Sequence, residues 1–209
     1  MGLRCRAVGN LQEVKEATEA LFEHERQSQP AGLVVRRELI STAEETELLG
    51  RLAQLDLYAV VMRGQPSRRL VRHYGLRYDY ASSRVTEGET TPQWLDAMRE
   101  RCAGLAGVAK NELAQILVTQ YPPGSGIGWH RDAAPFGIVV GVSLESACEM
   151  RFRRGSSGRT TFALGLAPRS AYLLAGDVRA NWQHSIPAVQ ELRWSVTFRT
   201  LRRSGSNRS

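Results

Sequence analysis

The sequence is poor in cysteine. It holds three in 209 residues, Cys5, Cys102 and Cys148, an odd number set far apart. That spacing makes neither a disulfide framework nor a zinc knuckle, so a reduced, cytoplasmic protein is expected. Long apolar runs are missing too, and none approaches the ~18 residues of a membrane-spanning helix. The opening MGLRCRAVGN has no apolar stretch leading to a small-residue cleavage site, and Gly2 lacks the Ser or Thr that myristoylation wants. Neither a secretory leader nor a membrane partner is expected. Lysine is almost absent: of 28 basic residues only Lys15 and Lys110 are lysines.

Positive charge is in excess, 28 basic residues against 21 acidic for a formal net charge of +7. The excess admits a polyanionic partner. Two facts discount it. Residues 200–209 carry three arginines and no acid, and GC-rich coding alone produces such an arginine bias. The 42% hydrophobic share is enough, at this length, for the core of one domain, expected to be a monomer.

Residues 11–27 place Leu11, Val14, Thr18, Leu21 and Phe22 at helical spacing. Ser41-Thr42-Ala43-Glu44 has the form of a capping box, opening a helix with Leu48, Leu49, Leu52 and Leu55 on one side. A further helix is expected from Thr91-Pro92, since proline suits a first helical position. From about residue 115 the texture changes to short runs rich in Val, Ile, Phe and Tyr: 115–121, 138–144, 148–153, 170–175 and 192–201. The expected fold is mainly β with N-terminal helices, its core a double-stranded β-helix, or jelly roll. Three regions are expected: a helical support over 1–60, a core over 61–201 with a lid at about 63–90, and a flexible basic tail over 202–209.

The chemistry concentrates in Trp129-His130-Arg131-Asp132. In an extended segment residues i and i+2 share a face, so His130 and Asp132 can aim at one point. With His184 they make two imidazoles and a carboxylate, the facial pattern of non-heme Fe(II) oxygenases. Alone, His-x-Asp is a weak signal, and surface residues or ordinary hydrogen bonding account for it more often than a metal does. The segment Arg193–Arg199, RWSVTFR, supplies context by alternating Trp194, Val196 and Phe198 with Arg193, Ser195, Thr197 and Arg199. Either the arginines lie on a solvated face or they line an enclosed cavity. In the second case their Cα atoms stand about 20 Å apart along a strand. Side chains leaning inward then leave about 8 Å between guanidinium groups, a fit for a short dicarboxylate held at both ends.

His130-x-Asp132, His184, and Arg193 with Arg199 six residues on resemble the AlkB-like 2-oxoglutarate/Fe(II) dioxygenases. Gln120-Tyr121-Pro122-Pro123-Gly124, Val142-Ser143-Leu144, Arg179 and Trp182 are similar as well, so the resemblance covers about residues 68–201. It implies that His130, Asp132 and His184 are the iron ligands and the catalytic centre. Arg193 would hold the distal carboxylate of 2-oxoglutarate, Tyr121 would add a hydrogen bond, and Arg199 would pair with the carboxylate nearest the metal. Thr119 and Ser195 would complete the co-substrate site. The family usually has Asn where Thr119 stands, so weaker or repositioned co-substrate binding is expected. The cofactors implied are Fe(II), 2-oxoglutarate and O₂, and the products succinate, CO₂ and an oxidised substrate.

From Arg63 to Arg77 there are five arginines and no acid, with Tyr74, Tyr78 and Tyr80 in or just past the run. Arginine for phosphates and aromatics for bases make a nucleic-acid surface. Arg69 and Arg72 are its expected contacts, and Tyr74 and Tyr78, with the His130 ring, are the walls for an extruded base. An edge strand with charged outer residues fits the same pattern. The expected function is oxidative removal of N-methyl or etheno groups from bases of DNA or RNA, with release of an aldehyde. The alternatives are a tRNA-modification hydroxylase, a protein or small-molecule oxygenase, and a non-catalytic nucleic-acid-binding module. Repair members of the family often carry an acid two residues past the metal-binding Asp, to contact an exocyclic amino group. Here that position is Ala134. A second basic cluster, Arg151, Arg153, Arg154 and Arg159, is either a backbone track or a solvated face.

Overall fold

Alternation along Arg193–Leu201 sets the plan of the molecule. A computed structural model of the chain describes residues 29–62, 65–79, 84–155 and 162–202. The helix expected over 11–27, along with Arg63, Tyr80, Arg159 and most of the tail, lies outside the described residues. Strand β12 (Arg193–Leu201) runs antiparallel between β5 (Leu113–Tyr121) and β7 (Phe136–Leu144). Its odd and even residues therefore face different layers. Trp194, Val196 and Phe198 are buried on one side with Ile116, Val118, Val140 and Val142 of the flanking strands. On that side lie helix α1 (Thr42–Leu52) and helix α2 (Asp96–Ala106), contributing Leu48, Leu52, Met98 and Cys102. Each such side chain contributes roughly 1.5–3 kcal/mol when fully buried.

Both helices begin where the sequence places them. The Ser41 hydroxyl accepts from the Glu44 N–H, and the Glu44 carboxylate accepts from the Ser41 N–H at 2.8 Å, closing the box. A short 3₁₀ turn over Gln93–Leu95 precedes α2, which ends at Gly107 in the left-handed region.

Among the described residues the larger sheet has eight strands. Its main order is β1 (Leu33–Arg36), β10 (Ala171–Leu174), β7, β12, β5, β3 (Gln65–Asp79) and β2 (Tyr58–Met62), with β4 (Arg84–Glu87) pairing the far half of β3. The smaller sheet orders β6 (Ile127–His130), β11 (Trp182–Ile186), β8 (Cys148–Arg154) and β9 (Phe162–Leu166). Between the two sheets lies a second core of Tyr121, Val139, Met150, Phe152, Tyr172 and Ile186. Two antiparallel sheets facing each other form the jelly roll. The chain divides after Pro30, and β1 belongs to the larger sheet through its pairing with β10. The stretch 31–60 is therefore part of the core and not a separate support. The apolar run Leu33-Val34-Val35 is its signal.

Candidate active site

The site forms where the two sheets face each other. Antiparallel pairing of β6 with β11 sets His130 opposite His184, ring centroids 4.3 Å apart. His130 Nδ1 donates to the Gly128 carbonyl at 2.9 Å, which leaves Nε2 with a free lone pair. Asp132 follows in the turn after β6, and its Oδ2 lies 3.5 Å from His184 Nε2. The two histidines, far apart in the chain, thus meet one carboxylate. As they stand the three are neighbours rather than a closed ligand set among the described residues, and Asp132 Oδ1 is taken up by Arg199. That guanidinium donates to it from Nη2 at 2.7 Å and from Nε at 3.0 Å.

Burial decides the charges. It pushes His184 down to about 3, and it is the largest cause lowering His130 as well. Both imidazoles are neutral near pH 7. Burial alone would raise the Asp132 carboxyl, but the Arg199 guanidinium outweighs it and holds the group below the ordinary carboxylate range. Two neutral imidazoles and a carboxylate are in the protonation states that a divalent cation requires of its ligands. The donor set fits a metal.

A second side chain group points to an anion. Arg193 is 0% exposed, its Nε donates to Ser143 Oγ at 3.1 Å, and its Nη1 and Nη2 are buried without a partner. Its guanidinium lies 4.8 Å over the Tyr121 ring. A solvated face for this arginine is excluded. A buried guanidinium left half-bonded costs several kcal/mol, and a carboxylate offers the acceptors it lacks. Across the strands Ser195 pairs with Thr119 and with Ser143, all three buried, so hydroxyl groups surround the same chamber. The residues present fit a carboxylate ligand beside the metal position.

Two residues have roles that the sequence reading does not assign. Gln115, buried on β5, accepts from Arg199 Nη1 at 2.9 Å and donates to the Leu76 carbonyl at 2.8 Å. Its signal is that Gln115 shares a face with Thr119 and Tyr121 on a strand otherwise too apolar for a surface. Arg179, on the short helix α3 (Gly176–Asn181), donates to the carbonyls of Gly137, Ala133 and Phe136 at 2.7–2.9 Å and to that of Asp132 at 3.3 Å. It fixes the turn that carries Asp132.

The expected base contacts divide by face. Pairing of β3 with β5 puts Arg69, Val71 and His73 on the side of Thr119 and Leu117, facing the site. Arg69 lies 5.9 Å over the Tyr121 ring, with its Nε buried and unpartnered. Tyr74 has the opposite parity and is a core residue, 6% exposed among the helix-side apolar groups, so it is no wall of the site. Arg72 shares that parity and spends its charge within the protein, on Glu89 at 2.7 Å and the Asp56 carbonyl at 2.8 Å. Tyr78 lies beyond Gly75, where β3 turns from β5 to pair with β4. Gly75 takes φ +71°, and a Cβ there would meet the Ala114 carbonyl oxygen at 2.3 Å. On the site-facing side stands a stack the sequence did not suggest. Tyr58 hydrogen-bonds His73 Nδ1 at 2.7 Å, their rings are stacked 6.1 Å apart, and Arg77 lies 5.9 Å over Tyr58. In the second basic cluster, Arg151, Arg153 and Arg154 bond Glu149, Gln183 and Asp177, which speaks for a solvated face.

Comparison with known proteins places this arrangement. The family model described as the 2OG-Fe(II) oxygenase superfamily matches residues 32–204. A protein of Arabidopsis thaliana named alkylated DNA repair protein ALKBH8 homolog is 29% identical over 200 residues, covering 82% of this chain and 56% of that one. The tRNA (carboxymethyluridine(34)-5-O)-methyltransferase ALKBH8 of Mus musculus is 30% identical over 166 residues, 75% of this chain and 24% of its own length. The chain thus spans about half of the first relative and a quarter of the second. Among solved structures, that of OsALKBH1 superposes with a TM-score of 0.63 at 15% identity, over 82% of this chain and 97% of that one.

Proposed function

The chain belongs to the 2OG-Fe(II) oxygenase superfamily as an AlkB-like member, and on that premise we propose that it oxidises an alkyl substituent of a nucleobase, with a substituted uridine of tRNA as the foremost substrate. Its cofactors are Fe(II), 2-oxoglutarate and O₂. When bound, they supply the oxidation: 2-oxoglutarate and O₂ become succinate and CO₂ while one oxygen atom enters a substrate C–H bond. The chain's residues hold and orient. His130, Asp132 and His184 would ligate the metal, Arg193 would bind the distal carboxylate of the co-substrate, and Arg199 with Arg179 would keep Asp132 in place.

The observation that carries the substrate reading is the surface beside the expected ligands. Arg69 and the Tyr58–His73–Arg77 stack offer a stacking face and cationic donors together, which suits a base and its phosphate. Ala134 adds a preference. With no acid there to accept from an exocyclic amino group, adenine and cytosine gain nothing over uracil, which has no such group. The name of the mouse relative, a tRNA carboxymethyluridine enzyme, supports the same choice.

The name of the Arabidopsis relative favours a second reading, N-dealkylation. The two differ only in where oxygen lands. On a carbon attached to ring nitrogen, the hydroxylated product collapses and releases an aldehyde; elsewhere the hydroxyl stays.

Bulk tRNA, and single-stranded DNA and RNA carrying 1-methyladenine, 3-methylcytosine or ethenoadenine, would be incubated with protein, Fe(II), 2-oxoglutarate and O₂. Nucleosides are then weighed by mass spectrometry. The proposal expects a uridine derivative in tRNA heavier by one oxygen, absent with His130→Ala. Alkyl loss from the oligomers instead would establish the second reading. Succinate formed with every nucleic acid unchanged would overturn both.

A further inference from the structure

Each of the two expected histidine ligands is preceded by a residue that turns away from the chamber. Trp129 comes before His130 on β6, and Gln183 before His184 on β11. Gln183 has the opposite parity to His184, which puts it on the outer face of the smaller sheet. There it meets Arg153 of β8, its partner in the ladder, whose Nε donates to Gln183 Oε1 at 2.8 Å. The same guanidinium lies 4.5 Å over the Trp129 ring. To reach that ring from β8 it crosses the whole width of β11. One side chain thus ties three strands together, directly behind the two imidazoles.

The ladder is weak at this junction. Strand β6 has four residues and, among the described residues, pairs only with β11. Between the pairs His184–His130 and Ile186–Ile127, three steps along β6 oppose two along β11. The surplus is a bulge, and a bulge interrupts the ladder where it falls. It falls just before His130. His184 has firmer support, since β8 flanks its strand in unbroken register from Trp182–Arg154 to Ser185–Arg151. Arg153 passes that support on to β6.

The other two arginines of β8 spend their charge differently. Arg151 and Arg154 face the carboxylates of Glu149 and Asp177. Arg153 gives its Nε–H to a neutral amide and its face to an indole. A planar guanidinium can do both at once, stacking with its face while its edge donates.

We propose that Arg153 is a positioning residue for the metal site: by clamping Trp129 to Gln183 across the back of the smaller sheet, it holds His130 in register with His184. The proposal rests on the metal assignment above and is independent of co-substrate and nucleic acid. Arg153 touches neither the metal position nor the chamber.

The test is anaerobic calorimetric titration of Mn(II) into full-length wild type, Arg153→Met, Trp129→Leu, the double variant and Arg151→Met. Removing a positive charge in itself favours a bound cation. Arg151→Met should therefore bind Mn(II) as the wild type does, or slightly more tightly. Arg153→Met removes the same charge from the same strand, yet should bind about tenfold more weakly, the low end of what support behind a metal ligand is worth. Trp129→Leu should weaken binding likewise, and the double variant no further, because the two residues form one clamp. The visible absorption of bound Co(II) follows ligand geometry rather than fold stability. It should change in Arg153→Met and keep its wild-type form in Arg151→Met. Should Arg153→Met melt below the assay temperature, Arg153→Lys takes its place with the same expectation, since lysine keeps the charge and loses the planar fork. Mn(II) binding as tight as that of the wild type would overturn the proposal. So would an unaltered Co(II) spectrum, or losses in the two single variants that add in the double. A wild type that takes up no Mn(II) would overturn the metal assignment itself.

Discussion

Arg179 shows how a residue outside the ligand set can govern it. Its guanidinium gathers four carbonyls of the turn from Asp132 to Gly137, and a planar fork is what lets one side chain reach them all. Lysine keeps the charge and loses the fork. Arg179→Lys is therefore expected to fold but to bind Mn(II) about ten- to a hundredfold more weakly, the usual cost of losing support behind a metal ligand. Calorimetric titration with Mn(II) checks this; unchanged affinity would mean that the turn holds Asp132 without help. The His-x-Asp pair and the two arginines were legible because residue type and spacing alone restrict what they can do. Gln115 was not, since its meaning comes from partners on other strands.

At the scale of elements, alternation was legible and its orientation was not. In β12 the aromatic side had to be core, and the arginine side was left open between solvent and cavity. The second sheet closes over it, leaving Arg193 with no exposed surface. In β3, Arg72-His73-Tyr74 offers a charged or aromatic residue on either parity, and only pairing with β5 decides which ones face the site. That is why Tyr74 and Arg72 were misassigned while His73 went unnoticed. The helix-side layer is predicted to be energetically separate from the site. Phe198→Ala should cost about 3–5 kcal/mol in urea denaturation and shift 2-oxoglutarate affinity of the folded fraction by less than threefold. A large affinity loss would show that β12 transmits packing from one face to the other.

Helix α1 carries a pH-dependent contribution. Hydrogen bonds from Arg101 and from the Ser41 N–H hold the Glu44 carboxyl at about 2, below its ordinary 4.5. A depressed carboxyl stabilises the fold above its unfolded pKa, and that stability is lost as pH falls toward the folded value. The pair is near 40% exposed at both ends, so screening limits it to about 1 kcal/mol or less. Glu44→Gln should therefore trail the wild type by a constant margin above pH 5, and the margin should close between about 4.5 and 2. A margin that widens on acidification would contradict the assignment.

At the scale of the molecule, the two sheets enclose a chamber lined by charged and polar side chains. Donors at the Arg193 end lack acceptors, and the three expected ligands sit together with a carboxylate held by Arg199. Filling such a chamber stabilises the whole fold by mass action, about 2.7 kcal/mol for a ligand at a hundred times its Kd. The jelly roll could be anticipated from the spacing of short strands. Its strand order could not, because the pairing of β1 with β10 and of β6 with β11 joins segments distant in sequence.

The central claim is that the chamber between Arg193 and the Asp132–Arg199 pair is where the co-substrate binds. The measurement that tests it most directly is anaerobic titration of 2-oxoglutarate into Fe(II)-loaded wild type and Arg193→Met. One molecule per chain should bind the wild type. Arg193→Met should bind at least a hundredfold more weakly, while its metal-free form melts no lower, because an unpaired buried charge has been replaced by an apolar side chain of similar length. Wild-type affinity in Arg193→Met would contradict the account.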